Sequence, residues 1–438
     1  MNKFCSNGIR DNKFFTMSIL VRQLDFKNFK NEIKELVLTS IPLVIGCLSQ
    51  VFFPIISTIF CGHLGQTELD GVSLANSLIY VLVLSSSEGL TTACDTLFPQ
   101  LNGGKNKKKI GVLMQKAILI SIMTMFGNAA LLISSKKLMY FIVDEIEVAE
   151  VADQYILAFL PTIIFYNLSA ILSKYIQSQN IVYPIMYINF IAILINAALH
   201  ALFIYGFSMG VRGAALAVDF ASFLLVMFLI VYIYVKKIYL HSWPGWCVEC
   251  LLDWKIYLRL AIPGLFSILI EWTSLPKIEF SMMAISQQIL FIFFQIPFGI
   301  SIAANIRIGN FLGSNRPDLA KNSAKITYVV TASAIAVLSV LILSLSNILP
   351  YAFSSDPQVV DKTSNLLKFI AFVHILDGFQ GTNSGILRAC GYQLYTTIFL
   401  LIGFYFVGSP IGLTLMLTTS LKVYGFFIGI SLGCGQLE

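Results

Sequence analysis

The stretch LMQKAILISIMTMFGNAALLIS, residues 113–134, is an apolar run of 22 residues that carries one charge, at Lys116. An α-helix needs about 20 apolar residues to cross the roughly 30 Å of hydrocarbon in a bilayer. The run lacks the alternation of apolar and polar residues that a strand of a transmembrane barrel shows. It therefore predicts a membrane-spanning helix.

Apolar runs of this order recur along the whole chain. We place spans near 37–60, 72–98, 113–134, 151–175, 180–206, 213–235, 256–275, 281–305, 324–349, 360–388, 393–417 and 420–438. Of the 438 residues, 57% are hydrophobic and 12% are charged, whereas soluble domains have about 25% charged residues. The last span is short. The sequence thus predicts an all-α membrane protein with about 12 transmembrane helices, the last of them truncated.

Lysine and arginine collect in alternate connections between these spans. The tail up to Lys34 carries seven of them, and further clusters follow at 105–109, 236–237 and 307–321. The connections in between are acidic or neutral, as in GHLGQTELD (62–70). Because positive residues stay in the cytoplasm, we predict a multi-pass protein with a cytoplasmic N-terminus. We expect it in the plasma membrane, and the sequence leaves an intracellular membrane as the alternative. The net charge of +6 does not indicate nucleic-acid binding, since the basic residues lie between apolar blocks.

Three pairs of short motifs recur at a nearly constant spacing. The pairs are PQLNGGKN (99–106) with GNFLGSNR (309–316), QSQNIVYP (177–184) with RACGYQLY (388–395), and SMGVRGAA (208–215) with SLKVYGFF (420–427). Their offsets of 210, 211 and 212 residues divide the chain into two halves of six spans each. Six is even, so the halves share one orientation and are related by an axis along the membrane normal. We predict a cytoplasmic tail at 1–36, an N-lobe at 37–240 with spans one to six, and a C-lobe at 241–438 with spans seven to twelve.

Several longer motifs resemble those of a known transporter family. They are FCGHLGQTELDGVSLA (60–75), ACDTLFPQ (93–100), WPGWCVECLLDW (243–254), RLAIPGLFSILIEW (259–272), IPFGISIAANIRIGNFLG (296–313) and GILRACGYQ (385–393). They resemble the eukaryotic multidrug and toxic compound extrusion (MATE) family, over roughly 35–438. The resemblance implies two six-helix lobes around a V-shaped cavity. It also implies a monomeric antiporter that exports small organic cations and xenobiotics in exchange for protons, with sodium the less expected coupling ion and no other cofactor.

The stretch GLFSILIEWTS (264–274) carries an acidic residue, Glu271, at the end of an apolar run. An ionised carboxylate near the middle of a bilayer costs about 2.5–3.5 kcal/mol on insertion scales. Burial favours the protonated form, so this carboxyl can take up a proton near neutral pH, and an organic cation can compete for it. The resemblance identifies Glu271 with the family's coupling glutamate. Trp272 beside it offers a cation–π contact. The alternative is a solvated acid at the outer interface.

Span ten contains a second pair of ionisable residues, in FVHILDGFQ (372–380). His374 and Asp377 are three residues apart and share one helix face, so the pair can hold a proton near physiological pH. Both match polar positions of the family, and the alternative is a structural hydrogen bond between helices. In span eight, Gln288 stands where the family has a glutamate. We include all three residues among the candidate substrate- or proton-binding residues.

Four other charged residues lie within or at the ends of spans. Glu88 and Asp219 lie inside spans two and six, where the resemblance gives them no role. A structural role is favoured for both, although an acid inside a membrane keeps Glu88 among the candidate binding residues. Asp95 and Arg307 lie at the inner ends of spans two and eight, where we expect them to anchor loops.

Two further function classes compete with the antiporter. An enzyme is not expected, because the histidines are dispersed, no HExxH or GxxxxGK[ST] motif is present, and the CxxC at Cys247 and Cys250 has no second pair to complete a metal site. A non-transporting or regulatory truncated isoform is the alternative to the antiporter. It is favoured by the clipped last span and by EWTSLPKIEF (271–280), which is shorter than the family's turn and has Pro276 in place of a second acid. Proline there ends or kinks the helix.

Overall fold

The computed structural model describes residues 26–142, 146–252, 254, 257–258, 280–352, 357–419, 421 and 423–434. Most of these residues are helical, and none of them lies in a β-strand. The predicted all-α fold is therefore confirmed. The predicted seventh span, 256–275, lies outside the described residues except for 257–258.

The helices of the first half follow the predicted spans closely. They are α1 Phe26–Gly62, α2 Gln66–Ile79, α3 Ser85–Gly103, α4 Lys109–Ile142, α5 Ile146–Phe159, α6 Thr162–Ser178, α7 Tyr183–Ala201, α8 Gly210–Val235 and the short α9 Tyr239–Ser242. The π-helical turn Tyr80–Leu84 joins α2 to α3, so the two form the second predicted span. Helix α1 begins at Phe26, ahead of the predicted start of the first span at 37. Helices α5 and α6 are bent by 53° at a short break that contains Pro161, which cannot donate a backbone hydrogen bond.

The described residues of the second half form six α-helices. They are α10 Phe280–Gly313, α11 Pro317–Leu345, α12 Pro357–Ala389, α13 Gln393–Leu400, α14 Ser409–Thr418 and α15 Val423–Cys434. The π-helical segment Leu401–Gly408 joins α13 to α14. Within the described residues, eight helical segments are long and apolar enough to cross a membrane, or nine if the bent pair α5–α6 is one span. The count of twelve spans stays a prediction.

Each half has buried apolar clusters of its own. In the first half, Phe98 of α3 packs with Ile110 of α4 and Tyr175 of α6. In the second half, Leu366 of α12 packs with Phe427 of α15. Lipid is as apolar as these side chains, so helices inside a membrane associate through close packing and hydrogen bonds rather than by the hydrophobic effect.

The two halves approach closely at one end of the bundle, through glycine. We call it the basic end, because the Lys- and Arg-bearing connections 104–108, 236–238 and 314–316 lie there. A Cβ atom on Gly313 of α10 would lie 1.9 Å from the carbonyl oxygen of Gln100 of α3. These helices therefore meet backbone to backbone, which a side chain at Gly313 would prevent.

Candidate functional site

Two of the predicted site residues, Glu271 and Trp272, lie outside the described residues. The other predicted site residues lie on two separate groups of helices. His374, Asp377 and Gln288 belong to the second half, on α12 and α10, and Glu88 belongs to the first half, on α3. The structure thus places the candidate residues in two regions, one in each half.

In the second half, His374 of α12 is completely buried. Neither of its ring nitrogens has a hydrogen-bond partner among the described residues. The ring of Phe293 of α10 stands edge-on to the imidazole, with the two ring centres 6.5 Å apart. Asp377, one helical turn farther along α12, and Gln288 of α10 are half-buried. An imidazole in such apolar surroundings is costly unless a polar group or a proton acceptor comes to it.

In the first half, Lys174 of α6 reaches across to α3. Its Nζ atom lies 3.2 Å from Oδ2 of Asp95 and 2.9 Å from Oγ1 of Thr91. It lies 3.8 Å from Oε2 of Glu88, whose Oε1 accepts a hydrogen bond of 2.8 Å from the hydroxyl of Tyr166. Because 88, 91 and 95 repeat at helical spacing, their side chains form one stripe on α3. We call Glu88, Asp95, Lys174 and Tyr166 the α3–α6 ion cluster.

Asp95 also contacts the second half of the chain. Its Oδ2 lies 3.8 Å from Nη1 of Arg388, near the end of α12. The side chains of Asp95 and Arg388 are 16% and 17% exposed, and the guanidinium of Arg388 lies 5.8 Å from the ring centre of Phe298. Asp95 thus forms ion pairs with two cationic side chains, Lys174 of the first half and Arg388 of the second.

Backbone and side-chain hydrogen bonds surround this contact. The hydroxyl of Thr96 donates to the carbonyl of Arg388 over 2.6 Å, and Nε2 of Gln100 donates to the carbonyl of Ala389 over 2.9 Å. In the opposite direction, Nε2 of Gln393 donates to the carbonyl of Thr92 over 2.7 Å. The end of α12 and the start of α13 are therefore hydrogen-bonded to α3 at the basic end.

A second group of polar contacts joins α10 to the first half. Arg307 binds Glu32 of α1 at two points, Nε to Oε1 at 2.9 Å and Nη2 to Oε2 at 2.6 Å. Nδ2 of Asn102 donates to Oδ1 of Asn310 over 2.8 Å, and both amides donate to the carbonyl of Ser178, over 3.0 and 3.2 Å. These contacts hold the two halves together where the basic connections lie.

The remaining charged residues named from the sequence all have polar partners in the structure. Asp219 of α8 accepts a hydrogen bond from the hydroxyl of Thr162, the first residue of α6. Its other carboxylate oxygen, Oδ2, is buried without a partner among the described residues. Arg307 and Asp95, expected as loop anchors, bind Glu32 and the two cations described above.

Sequence reasoning missed Lys174 and Arg388. The sequence shows both as basic residues in predicted spans: Lys174 lies inside the fourth span, in ILSKYIQS (171–178), and Arg388 is the last residue of the tenth. A basic residue inside a span is as costly as an acidic one, so each of these cations is expected to form an ion pair with an acidic residue of another span. The pairing itself could not be read from the sequence, since it depends on how α6 and α12 are rotated against α3.

Comparison with known proteins agrees with this architecture. The family model MatE matches residues 42–202 and 257–414. Multidrug and toxin extrusion protein 1 of Mus musculus is 34% identical over 420 residues, which cover 94% of this chain and 74% of the mouse protein. The Homo sapiens protein of the same name is 33% identical over 419 residues, which cover 93% of this chain and 74% of the human one.

Solved structures show the same fold. The crystal structure of the eukaryotic MATE transporter AtDTX14 superposes with a TM-score of 0.88 at 24% identity, covering 93% of this chain and 94% of that one. A crystal structure of the Vibrio cholerae MATE transporter VcmN gives a TM-score of 0.83 at 16% identity, covering 93% and 94%. At these identities the similarity concerns the fold.

Proposed function

This chain belongs to the MatE family of multidrug and toxin extrusion transporters, as a multi-pass integral membrane protein, and from that premise we propose a secondary antiporter. It exports organic cations and other xenobiotics in exchange for protons, with the proton rather than sodium as the coupling ion. The relatives are transporters and not enzymes.

The observation that best supports this proposal is the buried imidazole of His374, one helical turn from Asp377. A histidine without a partner among the described residues, next to a carboxyl on the same helix face, can take up and release a proton. In the proposal, this pair and Glu271 share the proton, while Trp272 and the amide of Gln288 contact the cargo. Glu88 serves as an accessory acid in the first half.

The contacts at the basic end support alternating access. In the proposal the two halves act as N- and C-lobes that rock about the cavity, and this structure has them joined at the basic end. The positive-inside rule makes this end cytoplasmic, so the joined state opens to the outside. The protein works as a monomer in the plasma membrane. Exchange of one proton for one monovalent cation moves no net charge, because the roughly 2.3 kcal/mol per 100 mV gained by the entering proton is offset by the same cost for the leaving cation. The pH gradient therefore drives the export.

Transport by purified protein in lipid vesicles tests the proposal. Vesicles made acidic inside should take up a fluorescent organic cation faster than vesicles without a pH gradient. Glu271→Gln, reconstituted at the same amount of protein, should lose this stimulation because an amide cannot bind the proton. If wild-type protein takes up the cation at the same rate with and without the gradient, proton antiport is wrong. Replacing the pH gradient by a sodium gradient tests the other coupling ion.

The shortened turn EWTSLPKIEF (271–280) favours a second candidate, a non-transporting or regulatory isoform. Pro276 stands where the family has a second acid, so part of the coupling chemistry is missing from this stretch. Co-expression with a full-length relative separates the two candidates. A regulatory isoform lowers or changes the flux of the relative and has none of its own, whereas transport by this chain alone removes the second candidate.

A further inference from the structure

The α3–α6 ion cluster contacts a cation that belongs to the other half of the chain. Lys174 comes from the same half as Asp95, and α6 packs against α3 through buried residues such as Phe98 and Tyr175. Arg388 comes from α12 of the second half. Any motion that separates the halves at the basic end takes Arg388 away from Asp95 and leaves Lys174 in place.

The formal charges show what that separation does to the cluster. With Arg388 in contact, two carboxylates, Glu88 and Asp95, face two cations, Lys174 and Arg388, and the formal charges cancel. Without Arg388, one negative charge is left over. The side chains of Lys174 and Asp95 are only 15% and 16% exposed, and an unbalanced charge with so little water around it is costly. The separated state therefore favours the arrival of another cation.

The hydrogen bonds around Arg388 tie its position to the state of the halves. The carbonyl of Arg388 accepts from Thr96, that of Ala389 accepts from Gln100, and Gln393 donates to Thr92. These bonds join α3 to the end of α12 and to the start of α13, so the guanidinium cannot leave Asp95 by a large distance while they hold. When these hydrogen bonds form again, the guanidinium of Arg388 returns to Asp95.

We propose that Asp95 is the loading point for cargo at the cytoplasmic end, and that Arg388 is a tethered cation that competes with the cargo there. The inference rests on the proposed function and adds a site to it. When the basic end opens, Arg388 withdraws and an amine- or guanidinium-type cation binds Asp95. When the end closes, Arg388 takes the carboxylate back and displaces the cargo into the cavity. Lys174 stays on Asp95 and Thr91 throughout and keeps the carboxylate in position.

Binding of a fluorescent organic cation to purified protein in detergent, with no gradient, tests this competition. Removing the competitor with Arg388→Gln should tighten binding about three- to tenfold, because the lost ion pair spans 3.8 Å between side chains that are little exposed. It should also slow transport, because closure no longer displaces the cargo. Arg388→Lys keeps the charge and should stay close to the wild type. Arg316→Gln removes an exposed arginine of the same end and should leave binding unchanged.

A double-mutant cycle decides whether Arg388 acts through Asp95. Asp95→Asn alone should weaken binding, and in that background Arg388→Gln should have no further effect. Asp95→Asn also serves as the test if Arg388→Gln does not purify as a monodisperse protein. An effect of Arg388→Gln that persists in the Asp95→Asn background overturns the inference.

The failure of the inference can be told from the failure of the proposed function. Equal affinity of Arg388→Gln and wild type, in protein that transports the cation in response to a pH gradient, overturns the role of Arg388 alone. Wild-type flux that ignores the gradient overturns the proton exchange, while the binding measurement still reports on the competition at Asp95.

Discussion

Arg307 of α10 and Glu32 of α1 form a two-point ion pair between the two halves of the chain, with its shorter contact at 2.6 Å. Their side chains are 14% and 18% exposed. Glu35, one turn farther along α1, approaches the same guanidinium to only 3.8 Å and is 60% exposed. Arg307 thus has a strong acidic partner, Glu32, and a weak one, Glu35, on the same helix. Replacing each in turn therefore measures how much the strong ion pair stabilises the joined halves.

The first prediction concerns this pair. Glu32→Gln should raise the population of molecules separated at the basic end about tenfold, because a charge-assisted two-point contact is lost. Glu35→Gln should change it little, since an exposed contact at this distance contributes between about 0 and 1 kcal/mol. Spin labels attached through Lys107→Cys and Arg316→Cys, with the native cysteines replaced, report the distance between the two halves. Equal distance distributions for the two variants would contradict the prediction.

A second prediction concerns Lys174, the cation of the α3–α6 ion cluster. Lys174→Met removes the cation that Glu88 and Asp95 share, with Asp95 16% and Glu88 32% exposed, and breaking a fully buried pair costs up to about 3–5 kcal/mol. We expect a marked fall in the thermal unfolding temperature and in the yield of monodisperse protein. Lys174→Arg keeps the charge and should stay closer to the wild type.

Removing the acid as well tests the electrostatic cause. The double variant Asp95→Asn with Lys174→Met should recover part of the stability lost by Lys174→Met alone, because the partners are then both neutral. Additive losses in the double variant would mean that Lys174 contributes by packing alone.

The cluster also shows where prediction from the sequence stops. The spans could be predicted because each one needs a long apolar run, as at 113–134, and the repeated motifs predict two halves of like orientation. Even Asn102 and Asn310, which lie 208 residues apart in the sequence and bind one another, fall in one of the repeated motif pairs. The contact of Lys174 with Asp95 depends on how two helices are rotated about their axes, and an apolar run does not fix that rotation. Arg388 lies within a recognisable motif, but its acidic partner lies in the other half.

The third prediction uses the close approach of α3 and α10. Gly313→Ala should prevent the halves from joining at the basic end, since its Cβ atom would lie 1.9 Å from a backbone oxygen that cannot give way. In helix α4, a Cβ atom on Gly127 would meet no neighbouring atom within 4 Å beyond its own stretch of helix, so this glycine serves as the matched control. Gly127→Ala should leave stability unchanged or raise it by up to about 1 kcal/mol, because alanine favours helix.

Two measurements check the glycine prediction. The spin-label pair at Lys107→Cys and Arg316→Cys should show a longer distance in Gly313→Ala and the wild-type distance in Gly127→Ala. The unfolding temperature should fall in the first variant only. A wild-type distance in Gly313→Ala would mean that the backbones of α3 and α10 move apart without separating the halves.

The fourth prediction concerns His374 and the pH dependence of transport. In the proposed antiport, a proton on this buried imidazole puts a positive charge beside the cargo, so cation binding should weaken as the pH falls and the imidazole takes up that proton. His374→Gln keeps a polar side chain but cannot gain that charge. Its binding of the fluorescent cation should therefore depend less on pH, with the largest gain over the wild type at the acidic end.

His63→Gln is the matched control, since His63 is exposed in the connection between α1 and α2, and its pH curve should overlay that of the wild type. Asp377→Asn removes the carboxylate that lies one helical turn from His374 on α12. If the carboxylate stabilises the proton on His374, the weakening of binding should move to lower pH in this variant, because the charged imidazole has lost a nearby negative charge. Parallel pH curves for the wild type and His374→Gln would show that the exchanged proton is carried elsewhere in the cavity, with Glu271 as the remaining acid to test.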